Sequence, residues 1–438
     1  VYSQLRARYS HTYLLESVAG PRKLAQYSFI GFDPEAVIQV REGLATTIIG
    51  ERERVDELVS DPLSSLATLT RQTPCLYQGL RLTGGAVGYV SYDSIRYWEK
   101  IPKTSSSERR FPDIEFGLYY DGLYYDHQNR EAFYYTLDRD RYEVLDETSR
   151  GVPEIERLDC DEPKPNISRE EYEDNVAKAK EYIAAGDILQ VVLSRRYDIE
   201  FDGDLLAFYH ALREINPSPY MYFLQMGERA IVGSSPEMLV RVTGGEAETF
   251  PIAGTRPCVE DEEANKALAK ELLSDPKERA EHTMLVDLAR NDLGRVCQYG
   301  TVNVPEFMDV HQFSHVQHIV SHVTGRLRDG MNAFDTFRSV FPAGTVSGAP
   351  KVRAMEIIEE LETSPREPYA GAVGYFSLNG CADFAITIRT LVAEGKHASI
   401  QAGGGIVADS IPSKEWEETE HKAMALLKAL KASGGGKQ

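Results

Sequence analysis

The sequence predicts a mixed α/β fold, and three observations carry that expectation. Short apolar runs between turn residues fill positions 1–150. Residues 170–185 carry a helical repeat. Beyond them, strand-like and helix-like stretches alternate irregularly up to a long amphipathic segment at the C-terminal end. With 438 residues, 42% hydrophobic and 26% charged, the chain has the composition of a globular protein rather than a disordered one. That length suits two or three lobes, or one large core with insertions.

Element by element, Tyr27-Ser-Phe-Ile-Gly-Phe, Gly85-Ala-Val-Gly-Tyr-Val and the aromatic run Phe116–Tyr125 read as strands. The acidic stretch 151–168, with Pro153, Pro163 and Pro165, reads as a linker between a region 1–150 and a region 169–432. Tyr172, Val176, Ala179 and Ile183 recur at helical spacing, and Leu189–Ser194 is a short β-branched strand. Ser274 is a candidate N-cap with Pro276 in the first turn, so a helix begins there. Val352–Leu361 and Lys414–Ala432 read as two further helices, and 433–438 as a flexible tail. Gly371-Ala-Val-Gly-Tyr-Phe-Ser repeats Gly85-Ala-Val-Gly-Tyr-Val-Ser at six of seven positions, as though two sheets were built on one plan.

Net charge is −20, which argues against nucleic acid as the main partner, because phosphate binding needs concentrated Lys and Arg. No apolar run approaches the roughly 18 residues of a membrane span. The cysteines Cys75, Cys160, Cys258, Cys297 and Cys381 are odd in number and never spaced CxxC, so neither a disulfide framework nor a thiolate zinc site is expected. A reducing, cytoplasmic setting fits that pattern. The first residue, Val1, suggests that some N-terminal sequence is missing.

Several constellations could carry chemistry. Glu278 and Glu281 extend the apolar stripe of Leu285 and Leu288 along one helix face, and Glu415 and Glu418 stand similarly above Lys422 and Leu426. Buried carboxylates need a cation or a proton, and two such pairs could hold one hard ion such as Mg²⁺. Ala343-Gly-Thr-Val-Ser-Gly-Ala-Pro-Lys is a glycine-rich loop entering a helix, but it lacks the GxxxxGK[ST] spacing of a P-loop. Gly403, Gly404 and Gly405 strip side chains from a strand, so that a ligand can touch backbone. Arg389, in the alternating run Ile386-Thr-Ile-Arg, is suited to a carboxylate. His311, His315, His318 and His322 would share a helical face as a metal site. The β-branched run around them reads instead as a strand, with His318 and His322 on one side.

Together, Pro251-Ile-Ala-Gly-Thr-Arg-Pro, the helix from Glu278 to Gly294, Gly344-Thr-Val-Ser-Gly-Ala-Pro-Lys and Glu415-Trp-Glu-Glu-Thr resemble the chorismate-utilising enzymes. The resemblance implies an α/β sandwich of two large antiparallel sheets with helices outside and a site in a cleft between lobes. Two positions separate the branches of that family. Isochorismate and salicylate synthases carry a water-activating Lys where this chain has Gln190. Aminodeoxychorismate synthases typically carry a nucleophilic Lys where it has Ala253. Without either lysine the chain resembles the anthranilate synthase large-subunit branch, whose nucleophile, ammonia, needs no protein base to create it.

The resemblance assigns roles residue by residue. Glu281 and Glu418 are expected to bind Mg²⁺, with Glu278 and Glu415 holding its waters. Tyr369, Arg389 and the backbone of Gly403, Gly404 and Gly405 would bind the enolpyruvyl carboxylate of chorismate, and Gly254 and Thr255 its ring carboxylate. Glu237 would be the general acid, His318 would assist proton removal and Thr345 would position substrate. Gln190 lies in the substrate site, and Lys422 orients Glu418. Glu16, Ser17, Pro219, Tyr220 and Met221 resemble the elements that bind tryptophan as feedback inhibitor. The chain has no candidate glutaminase, so glutamine-dependent activity implies a separate amidotransferase subunit. Two alternatives stand beside this reading: an aminodeoxychorismate synthase lacking the usual Lys, and a non-catalytic tryptophan-binding subunit.

Overall fold

The computed structural model describes residues 1–18, 26–50, 52–70, 80–103, 110–151, 155–312 and 316–434, with backbone alone over 52–57. Two antiparallel sheets of 12 strands each face one another. The first runs in the order Asp159–Cys160, Gln190–Asp202, His397–Ile406, Thr390–Glu394, Arg229–Ser235, Tyr220–Met226, His11–Glu16, Tyr27–Phe32, Asp121–Asp126, Glu131–Thr136. The second runs Ile252–Pro257, Val316–Arg326, Glu246–Thr249, Met238–Thr243, Ala382–Ile386, Ala372–Ser377, Gly85–Val90, Ile114–Tyr119, Ala36–Arg41, Leu44–Ile49, Arg52–Leu58. The α/β sandwich with outer helices implied by the resemblance is the fold observed.

Both sheets mix strands from the two ends of the chain, so the stretch 151–168 divides neither sheet. It lies along Gln190–Asp202, with Asp159–Cys160 and Lys164–Pro165 paired to that strand. Leu158 is fully buried, and its N–H donates to Ser433 O at 3.2 Å. Pro153, Cys75, His315 and residues 435–438 fall outside the described residues. The other four cysteines are free.

Three layers of packing follow from the strand pattern. Between the sheets, Tyr13, Phe29, Tyr222 and Ile231 meet Val87, Tyr89, Tyr119 and Tyr375. Tyrosine there brings hydroxyls that need partners, as Tyr222 finds in Thr390 Oγ1 at 2.6 Å. Outside the first sheet pack the helices Leu205–Ile215 and Pro412–Ser433. Outside the second lie Pro276–Gly294 and Ala333–Val340.

The two repeated glycine strands are direct neighbours in one sheet, with Gly88 opposite Gly374, rather than counterparts in two sheets. Their glycines are required by contact: a Cβ on Gly88 would stand 2.0 Å from Glu115 O, and one on Gly374 2.1 Å from Asp383 O. The helix Arg169–Ala185 starts at a Ser168–Glu171 capping box and stops at Gly186 in the left-handed region. Ser274 is not the cap of the following helix. Asp275 takes that place, accepting from Lys277 N–H and Glu278 N–H, while Ser274 ends the preceding helix and donates to Glu271 O. A carboxylate competes better than a hydroxyl for those N–H groups. The terminal helix spans Pro412–Ser433, so Ser433 belongs to it and not to a tail.

Candidate active site

Glu278 and Glu281 project from Pro276–Gly294, Glu415 and Glu418 from Pro412–Ser433, and the two helices bring them into one electrostatic environment. Burial raises the Glu281 pKa, and repulsion from Glu278 and Glu418 adds to it while a hydrogen bond from Gln190 opposes. Burial also raises Glu415, with Glu418 again repelling. Glu415 Oε2 is buried with no hydrogen-bond partner. Surplus negative charge and an unpartnered carboxylate oxygen fit a hard cation with oxygen ligands. The four do not form a closed chelate by themselves. Among the described residues, only Glu306, Asp309 and His311 bring three ligand atoms within 4.8 Å of one another, and nothing further there points to a ligand.

Each carboxylate is oriented by a neighbour. Gln190 Nε2 donates to Glu281 Oε1 at 3.2 Å, and Arg256 Nη1 lies 3.3 Å from Glu278 Oε1. Lys422 Nζ is 2.7 Å from Glu418 Oε1 and donates to Gly403 O at 2.9 Å. The glycine strand is kept bare by these groups: a Cβ on Gly404 would lie 3.2 Å from Glu415 Oε2, one on Gly405 2.5 Å from Gln190 Nε2, and one on Gly403 2.8 Å from Tyr369 Oη. The pairing of Thr390–Glu394 with His397–Ile406 ends at Ile400, so Gly403–Gly405 have a partner strand on one side, Gln190–Asp202. Backbone N–H groups directed to the other side are left for a ligand.

Arg389 stands close by. Its backbone is in the left-handed region at φ 51°, as is Ala370 at φ 60°, beside Tyr369. A non-glycine residue held there costs about 1–3 kcal/mol and marks a constrained site. Among the described residues no side chain pairs with the Arg389 guanidinium, and burial lowers its pKa. His318 Nδ1 is 2.7 Å from Gly254 O and 3.2 Å from Thr255 Oγ1. Burial lowers the His318 pKa, and the Arg389 charge lowers it further. Both effects favour the neutral imidazole against the opposing hydrogen bond to Gly254 O, and a neutral imidazole is the form able to accept a proton.

Glu237 lines a cavity of about 420 Å³ with Phe250, Leu285, Gly344 and Thr345. Thr345 Oγ1 donates to Glu237 Oε1 at 2.8 Å. Burial pushes the Glu237 pKa up to about 7, against the opposing effects of that hydrogen bond and of Lys422. A carboxyl poised near neutrality can deliver a proton.

The residues compared with tryptophan-binding elements also meet. Glu16, Ser17, Pro219, Tyr220 and Met221 line a second cavity of about 510 Å³ in the seam between the sheets. The Glu16 carboxylate itself is taken by Tyr209 Oη at 2.7 Å and by Arg213. Arg81 lines the same cavity, and among the described residues it has no ion-pair or hydrogen-bond partner.

Two supporting arginines escaped the sequence reading. Arg366 is buried, donating to Val346 O and Val192 O at 2.7 Å each and pairing with Glu362, and its guanidinium lies 5.7 Å from the Tyr369 ring. Arg195 stacks 3.7 Å over Trp416 and donates to Thr419 Oγ1 at 2.7 Å, tying the terminal helix to its strand. Arg195 lies in an apolar strand, the setting expected for Arg389, which the structure instead places in the bend between Ala382–Ile386 and Thr390–Glu394. Arg366 lies in no periodic pattern.

The chain is similar to known proteins over nearly its whole length. The pattern of the chorismate binding enzymes matches residues 10–428. Anthranilate synthase component 1 of Methanothermobacter thermautotrophicus is 50% identical over 437 residues, covering 100% of this chain and 92% of its own. That of Pseudomonas aeruginosa is 44% identical, covering 96% and 90%. The crystal structure of anthranilate synthase component I from Streptococcus pneumoniae superposes with TM-score 0.81 at 38% identity, over 92% of each chain. MenF, the menaquinone-specific isochorismate synthase of Escherichia coli, shares the fold at TM-score 0.69 and 22% identity. The chain belongs to the chorismate-binding enzyme family, among its anthranilate synthase component 1 proteins.

Proposed function

We propose that the chain converts chorismate and ammonia to anthranilate and pyruvate, as the large subunit of an anthranilate synthase. The observation that carries this reading is the joint placement of four carboxylates, an unpaired Arg389, the bare strand Gly403–Gly405 and a carboxyl with a pKa of about 7 at Glu237. Gln190 in place of a lysine leaves no base to activate water there. Ala253 offers no amine nucleophile either.

Glu281 and Glu418 would hold Mg²⁺, with Glu278 and Glu415 on its waters, and the ion would offset the four carboxylates and fix the ring carboxylate of a dianionic substrate. Arg389, with Tyr369 and the free N–H groups of Gly403–Gly405, anchors the enolpyruvyl carboxylate, and Gly254 and Thr255 contact the ring carboxylate. Ammonia attacks C2 as Glu237, held by Thr345, protonates the departing C4 hydroxyl, which leaves as water. His318 then assists loss of the C2 proton, and the enolpyruvyl group leaves as pyruvate while the ring becomes aromatic. Ammonia would come from glutamine through a separate amidotransferase subunit, free ammonia serving at high concentration. The 510 Å³ seam cavity would take tryptophan, its aromatic walls receiving the indole and Arg81 the carboxylate.

The test is to incubate the protein with chorismate, Mg²⁺ and an ammonium salt at alkaline pH, following anthranilate fluorescence and pyruvate together. Equal amounts of both, abolished by EDTA, are expected. An amino product without pyruvate would place the chain with the aminodeoxychorismate synthases, and intact chorismate would leave a binding subunit.

A further inference from the structure

Four successive strands of the second sheet carry one row of alternating charge. Asp383 stands directly opposite Arg241, and Arg241 directly opposite Glu248. Arg241 Nε donates to Asp383 Oδ2 at 2.7 Å, and Arg241 Nη1 lies 3.4 Å from Glu248 Oε1. On the next strand, His322 Nε2 lies 2.8 Å from Glu248 Oε2. Cross-strand pairs of opposite charge stabilise a sheet locally, but a ladder over four strands also links what stands at its two ends.

Those ends are the two cavities. Asp383 and Tyr220 both line the seam cavity, where Tyr220 Oη donates to Asp383 Oδ1 at 3.0 Å and accepts from Arg241 Nη2 at 3.1 Å. At the far end, the His322 ring stacks on Phe250 with centroids 4.3 Å apart and planes 4° from parallel, and Phe250 lines the catalytic cavity with Glu237. His322 also lies four residues beyond His318 on Val316–Arg326, on the same strand face. Arg241 is buried, so it cannot trade a lost partner for water. A ligand that moves Tyr220 or Asp383 therefore forces Arg241 to rebalance between Asp383 and Glu248.

Resting on the reading of the seam cavity as a tryptophan site, we propose that this Tyr220–Asp383–Arg241–Glu248–His322 ladder transmits the occupancy of that cavity to Phe250 and the catalytic cleft. None of the ladder's inner members, Arg241, Glu248 and His322, lines the seam cavity, so binding and its consequence can be separated by substitution.

Glu248→Gln keeps the shape and removes the charge; His322→Leu is the second variant, should the first fail to fold. Tryptophan affinity is measured by calorimetry without chorismate, and the factor by which saturating tryptophan raises the chorismate KM is measured with ammonium as nitrogen source. Both variants are expected to bind tryptophan within about threefold of the wild type and to keep basal kcat and KM. Their KM factor should fall by about tenfold, within the usual range of coupling, and chorismate should lose its reciprocal effect on tryptophan binding. Folded variants that bind tryptophan and are inhibited like the wild type would overturn the ladder. A wild-type chain that binds no tryptophan would instead overturn the cavity assignment, and the ladder with it.

Discussion

Glu237 and Arg389 are both placed in water-poor surroundings, with opposite consequences for charge. The Glu237 carboxyl, pushed up to about 7 by burial, is protonated below that pH and ionised above it. In its proposed role as the acid it must carry the proton, so kcat normalised to free ammonia should fall as pH rises through about 7. Glu237→Gln should lower kcat by about 10²–10⁴ and flatten that limb, which a pH–rate series would show. Among the described residues Arg389 has no side-chain partner, the arrangement expected of a group that waits for a substrate carboxylate. Arg389→Gln should raise the chorismate KM by about tenfold or more with a smaller effect on kcat, as steady-state kinetics would record. Glu237 and Arg389 were legible in the sequence through the resemblance. Arg366 was not, because its role depends on carbonyls of residues 192 and 346 that only folding brings to it.

Helices repeat every 3.6 residues, so their faces can be read along the chain, and the paired glutamates of Pro276–Gly294 and Pro412–Ser433 were read in this way. The start of Arg169–Ala185 was legible for the same local reason. Ser168→Ala removes one half of its capping box and should cost about 1 kcal/mol, seen as a lower urea midpoint at unchanged slope. Strands give up less, since period-two alternation fixes a face and not a partner. The glycine echo shows the difference: the match was visible, but the pairing of Gly88 with Gly374 was not. Gly88→Ala and Gly374→Ala each drive a methyl into backbone carbonyl oxygen, and each should cost about 1–3 kcal/mol by the same measurement. Ser274 failed as a cap because its neighbour Asp275 makes the stronger acceptor, a competition within one residue of the expected position.

Across the whole molecule, strands from residues 11–136 extend both sheets built by strands from 190–406, joined at His11–Glu16 with Tyr220–Met226 and at Gly85–Val90 with Ala372–Ser377. Residues 169–432 expressed alone would expose the edges of Tyr220–Met226 and Ala372–Ser377 and lose the part of the core between the sheets that Tyr13, Phe29, Val87 and Tyr89 supply, so they should not fold independently. Proteolysis and circular dichroism of that fragment would check this. Metal binding should also be felt globally: Mg²⁺ in excess of its Kd should raise the melting temperature of the intact chain, and Glu281→Gln should abolish the shift. The sequence by itself determined the fold class, the helix faces that carry the carboxylates and the absence of both branch-defining lysines, because each is a matter of residue identity or short-range period. Only the tertiary structure decided which strands are neighbours, that the seam between the sheets holds a cavity, and that a charge ladder runs from it toward the cleft. Those depend on contacts between residues far apart in the chain, and neither helical nor strand periodicity encodes them.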